Sequence, residues 1–200
     1  AWAELSEKFG RLTLEKVMEP AVTYAREGYP VSPVISKLWN NAYKEFSGTL
    51  KDECFKPWFD TFARDGHAPQ PGEIWKSEAH AKTLEKIAKT HAKAFYQGEL
   101  GDQIDAYSRK TGGYLRKSDL ENYWCEWVKP IHVNYRGYDI CEIPPNGDGI
   151  IALMALNILK GYSFTDRSCV DTVHKQLEAM KLAFADGNRY VADPEYMRAP

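Results

Sequence analysis

One nearly all-apolar run restricts the possible folds of this chain more than any other sequence feature does. It reads GIIALMALNIL from Gly149 to Leu159, and Asn157 is its one polar side chain. A helix that is apolar on almost every side must be buried on most sides. The run is too short to cross a membrane, which takes about 20 apolar residues. It therefore predicts a buried helix over 150–160, ended by Gly161.

The sequence just before this helix contains a glycine pattern of nucleotide-binding loops. Gly147, Gly149 and Ala152 form G-x-G-x-x-A after an apolar strand pattern. The dinucleotide fingerprint also requires a tight strand-to-helix turn and a second parallel strand. Pro144 and Pro145 leave no room for that turn, and the following YSFTDRSC is too polar for a buried parallel strand. Dinucleotide binding is thus the disfavoured alternative, and saturable NAD binding would be its signature.

The favoured interpretation is a structural elbow between a strand and the buried helix. Its residues are Asn146, Gly147, Asp148 and Gly149. Asn and Gly tolerate positive φ and close approach of other groups, and Asn146 or Asp148 can cap the helix by accepting from its first N–H groups.

Helical periodicity dominates the first half of the chain. Pro20 predicts two short helices instead of one between Thr13 and Gly28, because proline lacks an amide hydrogen. The stretch 48–72, with three prolines and several aromatic residues, predicts a long, partly ordered connection. The remaining helix signals are the pair Ser32-Pro33, an N-terminus near Ser77, the run 100–110, and a capping box from Ser118 to Glu121.

The second half predicts a hairpin and two helices. Strands over 126–133 and 138–143 flank N-Y-R-G, in which Gly137 can take a positive φ. A last helix over 169–190 places an apolar stripe on one face, made of Val173, Leu177, Met180, Phe184 and, less regularly, Ala183. The fold class expected is α+β, mainly helical with one β-hairpin.

Composition restricts the partners. The chain of 200 residues has 26 Lys and Arg against 28 Asp and Glu, a net charge of −2, and no basic stripe. Nucleic acid is therefore not an expected partner. The four cysteines form no C-x-x-C pair, which fits neither zinc nor a disulfide framework and favours the cytoplasm over export. No metal or cofactor is expected.

Two polar pairs on the last helix have local explanations. His174 and Glu178 stand four apart and could hold a metal, but without a third ligand an exposed pair is the simpler interpretation. Asp186 and Arg189 stand three apart and predict a weak local ion pair. No H-E-x-x-H, G-x-S-x-G or P-loop sequence occurs.

Four segments, in order, resemble the gamma-glutamyltransferase (gamma-glutamyltranspeptidase) family over nearly the whole chain. They are PAVTYAREGYPVSP (20–33), AFYQGELGDQI (94–104), GGYLRKSDLENYWCEWVKPIHVNYRGYDICEIPPNGDG (112–149) and EAMKLAFADGNRYVADPEY (178–196). The third segment is the most specific. In this resemblance the elbow is the family's Pro-Pro turn into a helix, not a cofactor loop. The resemblance makes Asn146, Gly147, Asp148 and Gly149 candidates for lining a substrate cleft.

The resemblance implies an N-terminal-nucleophile hydrolase with an αββα sandwich, synthesised as a zymogen that cleaves itself into a large and a small subunit. The new N-terminal Thr of the small subunit attacks a gamma-glutamyl amide, and the acyl group passes to water, an amino acid or a peptide. Glutathione metabolism is the implied context. Residues 1–200 would be a single segment of the large subunit, partnered by the small subunit and a small gamma-glutamyl substrate.

The match also implies what this segment lacks. No stretch resembles the T-T-H start of the small subunit, and the arginine that binds the substrate carboxylate lies ahead of the matched part. No catalytic residue is therefore assigned, and the chain alone is expected to be inactive. Asp148, where relatives have Gln or Ser, and Gly187, where they have Arg- or Glu-like residues, leave the acyl substrate open between glutathione, another gamma-glutamyl compound and a side-chain-acylated antibiotic precursor. The alternative is a non-catalytic binding or structural protein with the large-subunit fold.

Overall fold

The computed structural model describes residues 1–197 and divides into two compact units, Ala1–Cys125 and Glu126–Pro200. The described residues form ten α-helices and two separate two-stranded antiparallel sheets. The α+β prediction is therefore confirmed. No helix in the described range is both long and apolar enough to cross a membrane.

Eight helices and one small sheet make up the first unit. The helices are α1 (Trp2–Phe9), α2 (Leu14–Glu27), α3 (Pro33–Thr49), α4 (Lys56–Phe62), α5 (Glu78–Lys89), α6 (Lys93–Tyr96), α7 (Glu99–Lys110) and α8 (Lys117–Glu121). The strands are β1 (Tyr29–Pro30) and β2 (Ile74–Trp75). With two residues each, these strands are too short to give an alternating sequence pattern, and they were not predicted.

Helix α2 is continuous, so the prediction of two helices around Pro20 is wrong. Pro20 removes one helical hydrogen bond, but the helix packs its buried side chains along α5 on both sides of that point. Met18 lies in one cluster with Ala88, and Val22 in another with Ala81. Tertiary packing outweighs the local cost of the proline.

The segment between α3 and α5 is more ordered than its proline content predicts. It contains α4 and two short 3-10 turns, and its aromatic rings form a continuous cluster. The Trp39 ring centroid lies 5.5 Å from that of Trp75 and 5.9 Å from that of Phe62. The Trp39 indole N–H also donates to the Phe62 carbonyl at 2.8 Å. Aromatic contacts supply the order here.

Helix α8 begins before the predicted capping residue. It starts at Lys117, so Ser118 lies inside the helix and does not cap it. The Asp119 carboxylate instead accepts from the Arg116 backbone N–H at 2.8 Å. The N-terminus of α8 is thus capped by the side chain of one aspartate, at the third helical position.

The second unit is a hairpin followed by two helices. Strands β3 (Ile131–Tyr135) and β4 (Tyr138–Glu142) pair through Tyr135 and Tyr138 next to the turn, which confirms the hairpin with a shorter first strand than expected. Helices α9 (Gly149–Leu159) and α10 (Val170–Tyr190) pack against each other. Their shared core contains Ile151, Ala155 and Ala183.

The predicted core face of α10 is wrong for its four large residues, whereas its fifth member, Ala183, is buried as predicted. The helix buries its small residues Ala179, Ala183 and Gly187 together with Thr172. The large members of the predicted stripe remain 36–58% exposed: Val173, Leu177, Met180 and Phe184. Close approach of α9 requires small side chains, so size and not hydrophobicity decides which face is buried.

Candidate functional site

The elbow joins β4 to α9 through Pro144 and Pro145, as expected. Asp148 has helical backbone angles, φ −77° and ψ 0°, and its carbonyl accepts from the Ile151 N–H at 2.9 Å. Its side chain makes no capping bond. The prediction of a side-chain cap is therefore wrong, because an effective N-cap residue needs extended backbone angles.

Steric room, and not a special backbone angle, explains a glycine in the elbow. Neither Gly147 nor Gly149 has a positive φ, in contrast to the prediction. A Cβ on Gly149 would lie 2.5 Å from Oε2 of Glu142 and 3.0 Å from its Cβ, so the Glu142 side chain would have to move. A Cβ on Gly147 would have only Ile143 Cδ1 near it, at 3.9 Å. Gly149 thus allows the Glu142 carboxylate to lie against the start of α9.

Sequence reasoning missed Glu142. It occupies the last position of β4, and nothing in its neighbours along the chain signals that its carboxylate reaches back to the start of α9. Asn146 and Asp148 are exposed, and Gly147 and Gly149 are partly so. The elbow therefore presents an amide and a carboxylate to solvent next to a second carboxylate. Such a wall can orient a polar or cationic ligand group, but it supplies no nucleophile.

Topology excludes the dinucleotide alternative. The strand that enters the elbow, β4, pairs antiparallel with β3, whereas the fingerprint sits on a parallel strand. Within residues 1–197, no strand follows α9. The pyrophosphate cradle of that fold is not formed.

One reactive group in the second unit has a perturbed pKa. The Thr172 hydroxyl, 3.3 Å from the Cys169 sulfur, and the backbone N–H groups of the same turn lower the pKa of the Cys169 thiol. No basic side chain hydrogen-bonds to this sulfur among the described residues. Within the described residues, no general base therefore stands beside this thiol to form a catalytic pair with it. All four cysteines are free.

The two polar pairs on α10 have other partners. Glu178 binds Lys181 at 2.8 Å, and this lysine lowers the pKa of the Glu178 carboxyl. Arg189 does not pair with Asp186, and its guanidinium lies 5.5 Å from the Tyr190 ring. In the described part of the chain, no three His, Cys, Asp or Glu side chains converge on a point that could hold a metal ion.

Known proteins match the chain over its full length. The family model of gamma-glutamyltranspeptidase matches residues 1–200. A crystal structure of cephalosporin acylase from Bacillus halodurans superposes with a TM-score of 0.95 at 52% identity, covering 100% of this chain and 37% of that one. Gamma-glutamyltranspeptidase from Helicobacter pylori superposes with a TM-score of 0.86 at 30% identity, covering 99% of this chain and 56% of that one.

Curated relatives give the same pattern. The glutathione hydrolase-like YwrD proenzyme of Bacillus subtilis (strain 168) is 33% identical over 202 residues, which are 100% of this chain and 37% of the relative. The acylase ACY 1 proenzyme of Pseudomonas sp. (strain SE83) is 34% identical over 203 residues, 100% of this chain and 35% of the relative. The chain thus spans little more than a third of these relatives.

Proposed function

Because this chain belongs to the gamma-glutamyltranspeptidase family, we propose that it is part of the large subunit of an enzyme that cleaves gamma-glutamyl amide bonds and transfers the acyl group to water, an amino acid or a peptide. The observation that carries the proposal is the match of the family over all 200 residues. The superposition on the Helicobacter pylori enzyme, with a TM-score of 0.86, supports it.

The proposed nucleophile is an N-terminal Thr on a small subunit released by self-cleavage of a precursor. Such a residue carries its hydroxyl nucleophile and an α-amino base together, and an amine pKa of roughly 8 suits proton uptake near neutrality. Several relatives are named proenzymes, which supports processing. Backbone N–H donors would stabilise the tetrahedral oxyanion.

The proposed role of residues 1–200 is to support that site and to supply one wall of its cleft. The candidate wall is the elbow, with Asn146, Gly147, Asp148 and Gly149. Asp148 is exposed and has no side-chain bond that holds it to its own helix, so it is free to face a ligand. Asp148→Asn in the complete enzyme tests this role. A changed KM for a gamma-glutamyl anilide with unchanged thermal stability supports it, and an unchanged KM removes Asp148 from the cleft.

A second candidate function is hydrolysis of the acyl side chain of a cephalosporin. The observation that favours it is the 52% identity and TM-score of 0.95 to the Bacillus halodurans structure named cephalosporin acylase. Both activities use the same acyl-transfer chemistry and differ in the leaving amine and the acyl group. Parallel measurements of kcat/KM with gamma-glutamyl anilide and with glutaryl-7-aminocephalosporanic acid decide between them.

The first experiment is intact mass measurement and N-terminal sequencing of the protein expressed from its complete gene. We expect two fragments, the smaller beginning with Thr, and release of product from a gamma-glutamyl anilide. A single uncleaved species without activity would contradict the enzyme proposal. It would favour the alternative of a binding or structural protein that retains the large-subunit fold.

A further inference from the structure

The hairpin turn of the second unit places an arginine at an unfavourable backbone position. Arg136 has φ 55° and Gly137 has φ 89° between the paired residues Tyr135 and Tyr138. Two positive φ values are typical of a type I′ turn, which prefers Asn, Asp or Gly at both positions. An arginine there is sterically strained, because its Cβ crowds the following carbonyl oxygen. Backbone strain of this kind is concentrated at functional sites, so it indicates a functional role for the Arg136 side chain.

The Arg136 guanidinium lies over two aromatic rings. Its Cζ is 5.0 Å from the ring centroid of Tyr135 and 5.1 Å from that of Phe164. Both distances are within the range of cation–π attraction, about 6 Å. Because the rings come from separate segments of the second unit, they restrict the orientation of the guanidinium before any ligand binds.

The N–H groups of this guanidinium are unused. Within residues 1–197, Arg136 makes no hydrogen bond and no ion pair, although its side chain is exposed. By contrast, Arg26 binds Glu78 and Glu85, and Arg109 binds Asp105. A stacked guanidinium keeps its N–H edge open, and that edge matches the two oxygens of a carboxylate.

The surface continues with a third ring and a second cation. The Tyr162 ring centroid is 6.5 Å from that of Phe164, and Lys175 Nζ lies 5.5 Å from the Tyr162 ring. Lys175 already pairs with Asp171 at 2.6 Å, so the uncompensated charge of the surface is at Arg136. We call this surface the arginine patch; it consists of Tyr135, Arg136, Tyr162, Phe164 and Lys175.

We propose that the arginine patch docks an acidic segment of another protein, with an Asp or Glu carboxylate bound by both N–H groups of the Arg136 edge and neighbouring side chains lying on the rings. The charge of the patch selects an acidic partner. One exposed ion pair is too weak to hold a free carboxylate. A peptide adds contacts with three rings, so a polypeptide fits the patch better than a small anion does.

The test uses the complete protein and a fluorescein-labelled ten-residue peptide of alternating glutamate and alanine, followed by fluorescence anisotropy. We expect saturable binding that weakens with salt and is absent for the matched glutamine and alanine peptide. Arg136→Asn should weaken binding at least fivefold. Because Asn suits the turn, the same variant should unfold at an equal or higher temperature, which a merely structural arginine would not allow.

Controls separate the proposal from its competitors. Arg64→Asn makes the same charge change at an exposed arginine of the first unit, and binding should stay within twofold. Arg136→Lys should recover only part of the affinity, because an ammonium cannot form the paired bonds. Any one of three results would overturn the proposal. They are equal binding by wild type and Arg136→Asn, no saturation at millimolar peptide, and displacement by free glutarate that is as effective as displacement by unlabelled peptide. Peptide binding needs no turnover, so it is scored separately from the proposed acyl transfer.

Discussion

Ile151 of α9 occupies the space where a side chain on Gly187 of α10 would lie. A Cβ on Gly187 would be 2.5 Å from Ile151 Cδ1 and 2.6 Å from Cγ1. Gly187 is a buried position inside α10. The closest approach of the two helices therefore depends on the absence of one methyl group.

In Gly187→Ala the added methyl group overpacks the helix interface, at a cost of about 1–3 kcal/mol. Alanine gains roughly 1 kcal/mol over glycine in a helix, so we expect a net destabilisation of the second unit by up to about 2 kcal/mol. Thermal denaturation of the variant measures the effect. Gly48→Ala is the matched control, since Gly48 lies in α3 with nothing within 4 Å of its Cβ position, and it should stabilise. Ile151→Val should partly rescue Gly187→Ala; no rescue would place the cost elsewhere.

Gly149→Ala should disturb the elbow, whereas Gly147→Ala should be tolerated. The new methyl group would displace the Glu142 carboxylate, which lies 2.5 Å from that position at Oε2. We expect a lower midpoint of urea denaturation for Gly149→Ala and a value within error for Gly147→Ala. Adding Glu142→Ala should restore most of the loss. If the double variant is no more stable than Gly149→Ala alone, contact with Glu142 is not the cause.

Ala92→Gly should stabilise the first unit by about 0.5 kcal/mol. Ala92 has left-handed angles, φ 67° and ψ 0°, between α5 and α6. Glycine removes the steric cost of that conformation, and its greater freedom in the unfolded chain offsets part of the gain. Chemical denaturation measures the difference. Ala94→Gly, inside α6, should change stability in the opposite direction; the same sign for both would contradict the explanation.

Asp105 should contribute to the loss of stability in acid. The Arg109 side chain, which donates to the Asp105 carboxylate at 2.8 Å, lowers the pKa of this group, and the Lys117 backbone N–H adds to the effect. A carboxyl with a lowered folded pKa stabilises the fold above its unfolded value, roughly 4, and loses that contribution as pH falls through the folded pKa. Asp105→Asn should therefore lower stability at pH 7 and flatten the decline below pH 4.

The control for that experiment is Asp52→Asn. Within the described residues the Asp52 side chain makes no hydrogen bond or ion pair, so its removal should leave the acid profile unchanged. Equal flattening in both variants would show that the change in net charge, and not the bond to Arg109, produces the effect.

Local sequence predicted the elements whose signals are local. The buried helix α9 and the hairpin follow from one apolar run and one turn, and both are confirmed. Pro20 and the 48–72 segment show the limit of such signals. Their sequences predict a broken helix and a partly ordered connection. In the structure, packing against α5 keeps α2 continuous, and contacts among aromatic rings far apart in sequence keep the 48–72 segment ordered.

The elbow shows the same limit at the candidate site. Its proline turn and its connection to α9 were predictable from the residues 142–149. The reason for Gly149 was not, because it depends on where the Glu142 side chain lies in space. The prediction of the buried face of α10 failed for a related reason. Hydrophobicity suggested the large residues, whereas the short distance between α9 and α10 admits only the small ones.

That choice of face has a consequence for the solution behaviour of the chain. Residues 173, 177, 180 and 184 leave a row of large apolar side chains along one helix, each more than a third exposed. Contiguous apolar surface of this kind promotes association between molecules. If the chain is produced by itself, its sedimentation coefficient should rise with concentration, and a charged substitution at Leu177 should reduce that dependence without disturbing the core of α9 and α10.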